Sequence, residues 1–206
     1  MPHDVTKESF LSDVSAHNIS VLQSEGLYRH IRFKRPETMC MHFDLITVPG
    51  KLIYTGDMGT YVFERLDDMF EFFRPDQREP GELKINKGYW AEKLIAQSCH
   101  GRHVEGVRIF SADCFKENVV RWIRESGSDG RSALLREVRE RVFSLLDDPT
   151  GVRVMDALYE FEHNGFRFYD CWEMDSTEWD TRFVWCCYAL TWGIEQYDKA
   201  HPEPKP

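Results

Sequence analysis

The first third of the chain has the hydrophobic pattern of β-strands. Between Ile19 and Glu64, short segments rich in β-branched and aromatic residues alternate with turn-forming residues such as Pro49 and Gly50. The segments that predict strands are ISVLQ, LYRHIRF, MCMHFDLITV, KLIYT and TYVFE. Because the spacers between them are too short for crossover helices, we expect an antiparallel meander of about five strands.

The second half has the spacing of amphipathic helices. The segment Asp180–Tyr197 is apolar nearly all round, which predicts a central buried helix. Shorter helices are predicted at Tyr89–Gln97 and from Asp148 to about His163, with Asp148 as N-cap and Pro149 as first helical residue. The alternating segment Phe166–Trp172 predicts one more strand.

Strands followed by helices predict an α+β fold, in which an N-terminal meander sheet is packed by a C-terminal helical half. The length of 206 residues suits a single domain, which we expect to span residues 1–200 and to leave residues 201–206 as a disordered tail.

The charge and hydrophobic composition of the chain limit the classes of protein to which it could belong. The chain has 26 Lys and Arg against 35 Asp and Glu, for a formal net charge of −9, which disfavours direct binding of nucleic acid. The N-terminus lacks the pattern of a secretory signal, and the longest nearly apolar run, Phe183–Ile194, is too short to span a membrane. We therefore expect a soluble cytoplasmic protein whose six cysteines are reduced.

A cluster of titratable residues is predicted on the sheet. Alternation within a strand places His42 and Asp44 on one face, and His30 and Arg32 share a face of the preceding strand. With Asp57, in the glycine-flanked turn Gly56–Gly59, they could form an acid–base site. The favoured interpretation is instead a solvated outer sheet face beside a tight hairpin turn.

The loop around residue 100 holds three potential zinc ligands: Cys99, His100 and His103. A structural zinc site uses four ligands, commonly in two pairs, and no second pair lies nearby in the sequence. An ordinary polar loop is therefore the favoured interpretation, and we predict neither a metal nor a cofactor.

Negative charge is concentrated in residues 147–180, which hold ten Asp or Glu and only two bases, Arg153 and Arg167. Aromatic residues are interspersed among these acids, and aromatic side chains dominate the energetics of protein interfaces. A shared acidic–aromatic surface would attract a basic partner, whereas the alternative is a solvated acidic face. The predicted partner-binding residues are Asp156, Glu160, Tyr169, Asp170, Trp172, Glu173, Asp175, Glu178, Trp179 and Asp180.

Three strings resemble a widespread family of phage- and prophage-encoded proteins without assigned chemistry: HFDLITVPGKLIYTGDMGTYVFERLDDMFEFFR, KINKGYWAEKL and FVWCCYALTWGIEQYD. The likeness extends over most of the chain, from about residue 18 to 198. The resemblance implies a phage origin and a small cytoplasmic accessory protein, and it supplies no active site.

Our first hypothesis is therefore a phage protein that binds and inhibits a host protein, for example a CRISPR or restriction component. The target would be a basic or nucleic-acid-binding protein, with no membrane involved. The alternative is an enzyme acting on a nucleotide or nucleic acid through His30, His42, Asp44 and Asp57. A structural or regulatory oligomer is a third hypothesis, and the sequence does not indicate an oligomeric state.

Overall fold

The computed structural model describes residues 5–74, 83–98, 106–127 and 130–201. Contacts group the chain into two compact units, one comprising Met1–Val107 with Asp180–Pro206 and the other Arg108–Trp179. Each unit is described by itself below. An N-terminal antiparallel meander sheet followed mostly by helices confirms the predicted α+β class. The expectation of one domain over residues 1–200 stays a prediction, and the predicted tail after residue 201 lies outside the described residues.

The described residues form seven α-helices, namely α1 (Lys7–Val14), α2 (Met69–Phe73), α3 (Lys87–Ala91), α4 (Ala112–Glu125), α5 (Arg131–Arg141), α6 (Val152–Tyr159) and α7 (Thr181–Ala200). They form ten strands, namely β1 (Asn18–Glu25), β2 (Tyr28–Lys34), β3 (Phe43–Val48), β4 (Lys51–Gly56), β5 (Gly59–Glu64), β6 (Leu94–Ser98), β7 (Arg108–Phe110), β8 (Glu162–His163), β9 (Phe166–Arg167) and β10 (Thr177–Trp179). Two short 3₁₀ helices span Phe143–Leu145 and Cys171–Glu173.

The first unit is built on a six-stranded sheet in which each strand from β1 to β6 pairs with the next along the chain. Tight turns make this order possible, since only Asp57 and Met58 separate the paired residues Gly56 and Gly59. That geometry confirms the predicted hairpin. Alternate side chains of β2 to β5 point to one buried face, as expected for a sheet covered on one side. The buried residues are Ile31, Phe33, Phe43, Leu45, Leu52, Tyr54, Tyr61 and Phe63.

Helix α7 packs on the buried face of the sheet. The ring of Trp192 lies 5.5 Å from that of Phe33, and the ring of Trp185 lies 5.6 Å from that of Phe43. Asp180 caps the helix by accepting a hydrogen bond from the backbone N–H of Arg182. The predicted central buried helix is therefore confirmed, with a start one residue later and an end at Ala200.

The second unit encloses its own apolar core, to which α4, α5 and α6 contribute. Strands β7 and β10 pair with each other, and β8 and β9 form a hairpin. The core residues are Phe115, Val119, Ile123, Leu134, Val138, Val142, Val154, Leu158, Phe161, Phe168 and Cys171.

Two predicted helices and one predicted strand are corrected by the structure. The Tyr89–Gln97 helix stops at Ala91, and the residues after it form β6, which pairs with β5 as the sixth strand. Helix α6 begins only after Gly151, at a φ of 74° that favours glycine. Asp148 instead accepts hydrogen bonds from the N–H groups of Thr150 and Arg153, which closes the turn before the helix.

Helix α6 also ends at Tyr159 rather than His163, because the β8–β9 hairpin follows it directly. Of the predicted strand Phe166–Trp172, only Phe166–Arg167 pairs, and Trp172 belongs to the 3₁₀ helix Cys171–Glu173. None of the helices in the described part of the chain combines the length and apolarity needed to cross a bilayer.

Candidate functional site

The predicted cluster on the sheet forms in part. Strand pairing sets Arg32 of β2 opposite Asp44 of β3. Both oxygens of Asp44 accept hydrogen bonds from Arg32, at 2.9 and 2.8 Å, and Oδ2 also accepts one of 2.8 Å from Nε2 of His30. Burial by itself would raise the pKa of Asp44, but the hydrogen bonds from Arg32 and His30 outweigh it and hold that pKa below its usual value.

His42 does not join that cluster, because the strand begins one residue later at Phe43. Residues 39–42 form a turn in which Met41 adopts a φ of 59°, so strand alternation does not extend to His42. Nδ1 of His42 lies 2.6 Å from the carbonyl oxygen of Met39 and 3.2 Å from Asp57. Asp57 also accepts a hydrogen bond of 2.6 Å from the N–H of Met41. The expected four-residue site is thus corrected to two pairs, His30 with Asp44 and His42 with Asp57.

Both pairs stabilise the fold through hydrogen bonds between neighbouring segments. Asp44 is buried and its carboxylate joins two strands, while the lowered pKa opposes the proton uptake that a general base needs. His42 and Asp57 close the turn before β3 against the β4–β5 hairpin through backbone groups. This geometry supports a structural role for His30, His42, Asp44 and Asp57 better than a catalytic one.

The second unit exposes two aromatic side chains side by side. The rings of Tyr159, at the end of α6, and Trp172, in the following 3₁₀ helix, have centroids 6.0 Å apart. Tyr159 is 65% exposed and Trp172 is 61% exposed. We call these two residues the aromatic pair. Asp156, one turn earlier on α6, and Glu160, the C-cap residue of α6, are both exposed and add carboxylates to this end of the helix.

A groove of 580 Å³ lies next to the same 3₁₀ helix. We call it the acidic groove, and its lining comes from one side of α4 and from the segment between β9 and β10. The lining residues are Asn118, Arg121, Trp122, Glu125, Tyr169, Asp170, Glu173, Met174 and Asp175. Four of the predicted partner-binding residues, Tyr169, Asp170, Glu173 and Asp175, therefore share one surface feature.

Asp175, which lines the acidic groove, is held in place by several hydrogen bonds. Its Oδ1 accepts hydrogen bonds from the hydroxyl and the N–H of Thr177, which hold the pKa of Asp175 below its usual value. Its Oδ2 accepts a hydrogen bond of 2.9 Å from Arg108. The side-chain amide of Asn118 donates to the backbone oxygen of Asp175 at 2.7 Å, which ties this segment to α4.

The remaining predicted partner-binding residues lie elsewhere. Glu178 and Trp179 belong to β10, where the guanidinium of Arg108 covers the ring of Trp179 at 5.1 Å. Asp180 is only 2% exposed and caps α7 in the first unit. The prediction that Asp180 contributes to an accessible acidic surface is therefore wrong, because its carboxylate is buried and caps the N-terminus of α7.

Sequence analysis missed the contribution of α4 to this surface. Asn118, Trp122 and Glu125 follow one another at four- and three-residue spacing, which places them on one helical stripe. The ring of Trp122 packs edge-on against that of Phe168, 6.0 Å away, and Trp122 also lines the groove. Tyr159 was also missed, although the acids on either side of it were predicted.

No group of three or more His, Cys, Asp or Glu side chains is arranged to hold a metal ion within the parts of the chain that the structure describes. The candidate zinc ligands Cys99, His100 and His103 lie outside those parts. The other five cysteines form no disulfide among the described residues, and Cys171, Cys186 and Cys187 are buried.

Comparison of the chain with protein-family models, with curated proteins and with solved structures finds no match. The functional argument therefore rests on the surface of the second unit.

Proposed function

We propose that this chain is a protein-binding module, a phage-encoded accessory protein that binds and inhibits a basic host protein through the second unit. The observation that carries the proposal is the aromatic pair, two large side chains that stay about two-thirds exposed beside unpaired carboxylates. Exposed aromatic groups cost hydration free energy in an isolated protein, and they are the side chains most enriched at the centres of interfaces.

The charge of the surrounding surface indicates the kind of partner. The side-chain carboxylates of six acids in residues 147–180 make no hydrogen bond or ion pair with the residues that the structure describes: Asp147, Asp156, Glu160, Asp170, Glu173 and Glu178. Unpaired carboxylates raise the rate of encounter with a positively charged surface and disfavour acidic partners such as nucleic acid itself. The resemblance to phage proteins directs the search to proteins of the bacterial cytoplasm, including defence nucleases and nucleic-acid-guided complexes.

The first test is affinity capture from a bacterial lysate, comparing the wild type with Trp172→Ala and Tyr159→Ala. We expect the wild type to retain one protein in stoichiometric amount, and each variant to retain at least about tenfold less, as a lost interface anchor predicts. Tyr28→Ala is the matched control, because Tyr28 is a 51% exposed tyrosine of the first unit. Equal capture by all four proteins would contradict the proposed surface.

The second test addresses inhibition. Expression of the wild type in bacteria carrying a CRISPR or restriction system should raise the plating efficiency of a sensitive phage, and Trp172→Ala should not. An unchanged plating efficiency with every system tried, together with an empty capture, would refute the inhibitor function. Circular dichroism of each variant checks that the fold is retained.

A further inference from the structure

The acidic groove carries negative charge that the protein itself leaves unneutralised. Four of its nine lining residues are carboxylates and one is a guanidinium, that of Arg121. Asp175 is paired with Arg108, but the side-chain carboxylates of Glu125, Asp170 and Glu173 form no hydrogen bond or ion pair with the described residues. Asp170 precedes the 3₁₀ helix Cys171–Glu173 without a side-chain capping bond, so its carboxylate is not used for local structure.

Two aromatic rings line the same groove. The ring of Trp122 packs edge-on against that of Phe168, which supports it at the wall of the groove. Tyr169 is 68% exposed, which leaves its ring accessible. An aromatic face attracts a cation, and carboxylates bind one through charge-assisted hydrogen bonds. Both elements of a cation-binding site are therefore present on one surface.

Among the cations that proteins carry, arginine fits this lining best. Its planar guanidinium stacks on an aromatic ring while its N–H groups reach carboxylates in a fixed fork, and it is more weakly hydrated than the ammonium of lysine. We propose that the acidic groove binds an arginine side chain presented by a basic segment of the protein partner. This inference rests on the proposed function and specifies which chemistry of the partner the second unit recognises.

The size and polarity of the groove add detail. A volume of 580 Å³ falls within the range of about 300–1,000 Å³ typical of ligand sites, which leaves room for an arginine and the adjoining backbone. Arg121 disfavours a second cation nearby and offers donors to a carbonyl oxygen of the same segment. We therefore expect recognition of one arginine rather than of a dense basic cluster.

The test uses three blocked tripeptides, acetyl-Gly-Xaa-Gly-amide, in which Xaa is arginine, lysine or neutral citrulline. Binding is followed by NMR on the full chain, through the indole N–H signal of Trp122, which the variant Trp122→Phe identifies. We expect saturable binding of the arginine peptide in the range of about 1 mM, several-fold weaker binding of the lysine peptide, and none of the citrulline peptide.

The triple variant Glu125→Gln, Asp170→Asn and Glu173→Gln removes the groove charges with little change in shape. Asparagine suits position 170 because it tolerates the left-handed conformation, and Asp170 has a φ of 52°. We expect the arginine peptide to bind this variant at least about tenfold more weakly. The control variant Asp113→Asn, Glu117→Gln and Glu140→Gln changes the net charge equally at exposed positions of the same unit, and should bind normally.

Equal weakening in both triple variants would show that overall charge alone attracts the peptide and would overturn the proposal. An indole signal of Trp122 that no peptide shifts would also overturn it. Either result leaves lysate capture by the aromatic pair as a separate test, so failure of the groove and failure of the proposed function can be told apart. Arginine binding without any captured partner would support the groove and count against the function.

Discussion

Asp44 shows how a single buried carboxylate holds the meander sheet together. Its side chain is almost inaccessible, and its oxygens receive hydrogen bonds from two residues of the neighbouring strand. A carboxylate in such a place is favourable only while its hydrogen-bond partners stay in place, because removal of one partner leaves the other polar groups unsatisfied.

The substitution Asp44→Asn should therefore lower the free energy of unfolding by about 2 kcal/mol, since Arg32 and His30 lose a charged acceptor. Chemical denaturation monitored by fluorescence measures this change. Glu64→Gln is the control, because Glu64 pairs with Lys51 at an exposed position and should cost less than about 1 kcal/mol. Equal losses from the two substitutions would show that Asp44 has no special role.

The lowered pKa of Asp44 predicts how stability depends on pH. A carboxyl whose pKa is lower in the folded than in the unfolded state contributes stability above its unfolded value of 3.8, and this contribution is lost as the pH falls through the folded value. Between about pH 5 and 3, the wild type should lose more unfolding free energy than Asp44→Asn does. The variant Asp44→Asn keeps a smaller loss of stability over the same pH range, because Asp68, paired with Arg29, also has a lowered pKa. Parallel pH profiles would contradict this assignment.

At the scale of single residues, the sequence indicated which side chains could interact more easily than where the backbone would place them. Pairing of the faces of β2 and β3 was sufficient to bring His30 and Arg32 to Asp44, since register follows from the apolar alternation. His42 could not be placed in this way, because Met41 adopts a left-handed backbone conformation that interrupts the strand. Methionine rarely adopts this conformation, so the sequence did not predict the interruption.

Among the helices, α7 depends on a glycine for its close approach to the sheet. A Cβ on Gly193 would lie 2.9 Å from Cδ1 of Leu45 and 3.2 Å from the ring of Phe33, both of which are buried. A glycine inside a helix normally lowers the stability of the helix by about 1 kcal/mol relative to alanine. At Gly193 this loss is accepted because a larger residue would not fit between α7 and the sheet.

We expect Gly193→Ala to destabilise the protein by about 1 kcal/mol or more, since overpacking outweighs the gain in helix propensity. Thermal unfolding followed by circular dichroism measures the change. Gly88→Ala is the matched control: Gly88 also lies in a helix, α3, but a Cβ there meets nothing within 4 Å. Gly88→Ala should be neutral or slightly stabilising, and destabilisation of both variants would refute the packing argument.

The predictability of the elements followed their length and periodicity. The meander and α7 have long apolar patterns that local turns and caps reinforce, and they were predicted correctly. The shorter elements depend on distant partners: β6 becomes a strand by pairing with β5, and β10 by pairing with β7. Their sequences carry no period long enough to reveal this, and tertiary pairing decides their structure.

At the scale of the whole molecule, the second unit is an insertion in the chain of the first. The backbone N–H of Asp180 donates to the carbonyl oxygen of Val107 at 2.9 Å, so the two ends of the first unit at the insertion point are neighbours. Within the second unit, Arg108 and Trp179 are also paired, in the ladder between β7 and β10. Each unit therefore has its two insertion-point residues side by side, the arrangement in which domain insertion is tolerated.

This arrangement predicts that the first unit folds after the second is removed. Replacement of residues 108–179 by a short Gly-Ser linker should give a protein that unfolds cooperatively, because the sheet and α7 keep their shared core. The shortened protein should still be destabilised by Asp44→Asn, because Asp44 belongs to the first unit, and it should capture no partner from lysate.

Full capture by the shortened protein would show that the binding surface lies on the first unit. Failure of the shortened protein to fold would show that the first unit depends on the insertion. Both outcomes are read from the same preparation, by circular dichroism and by stoichiometry of the captured protein.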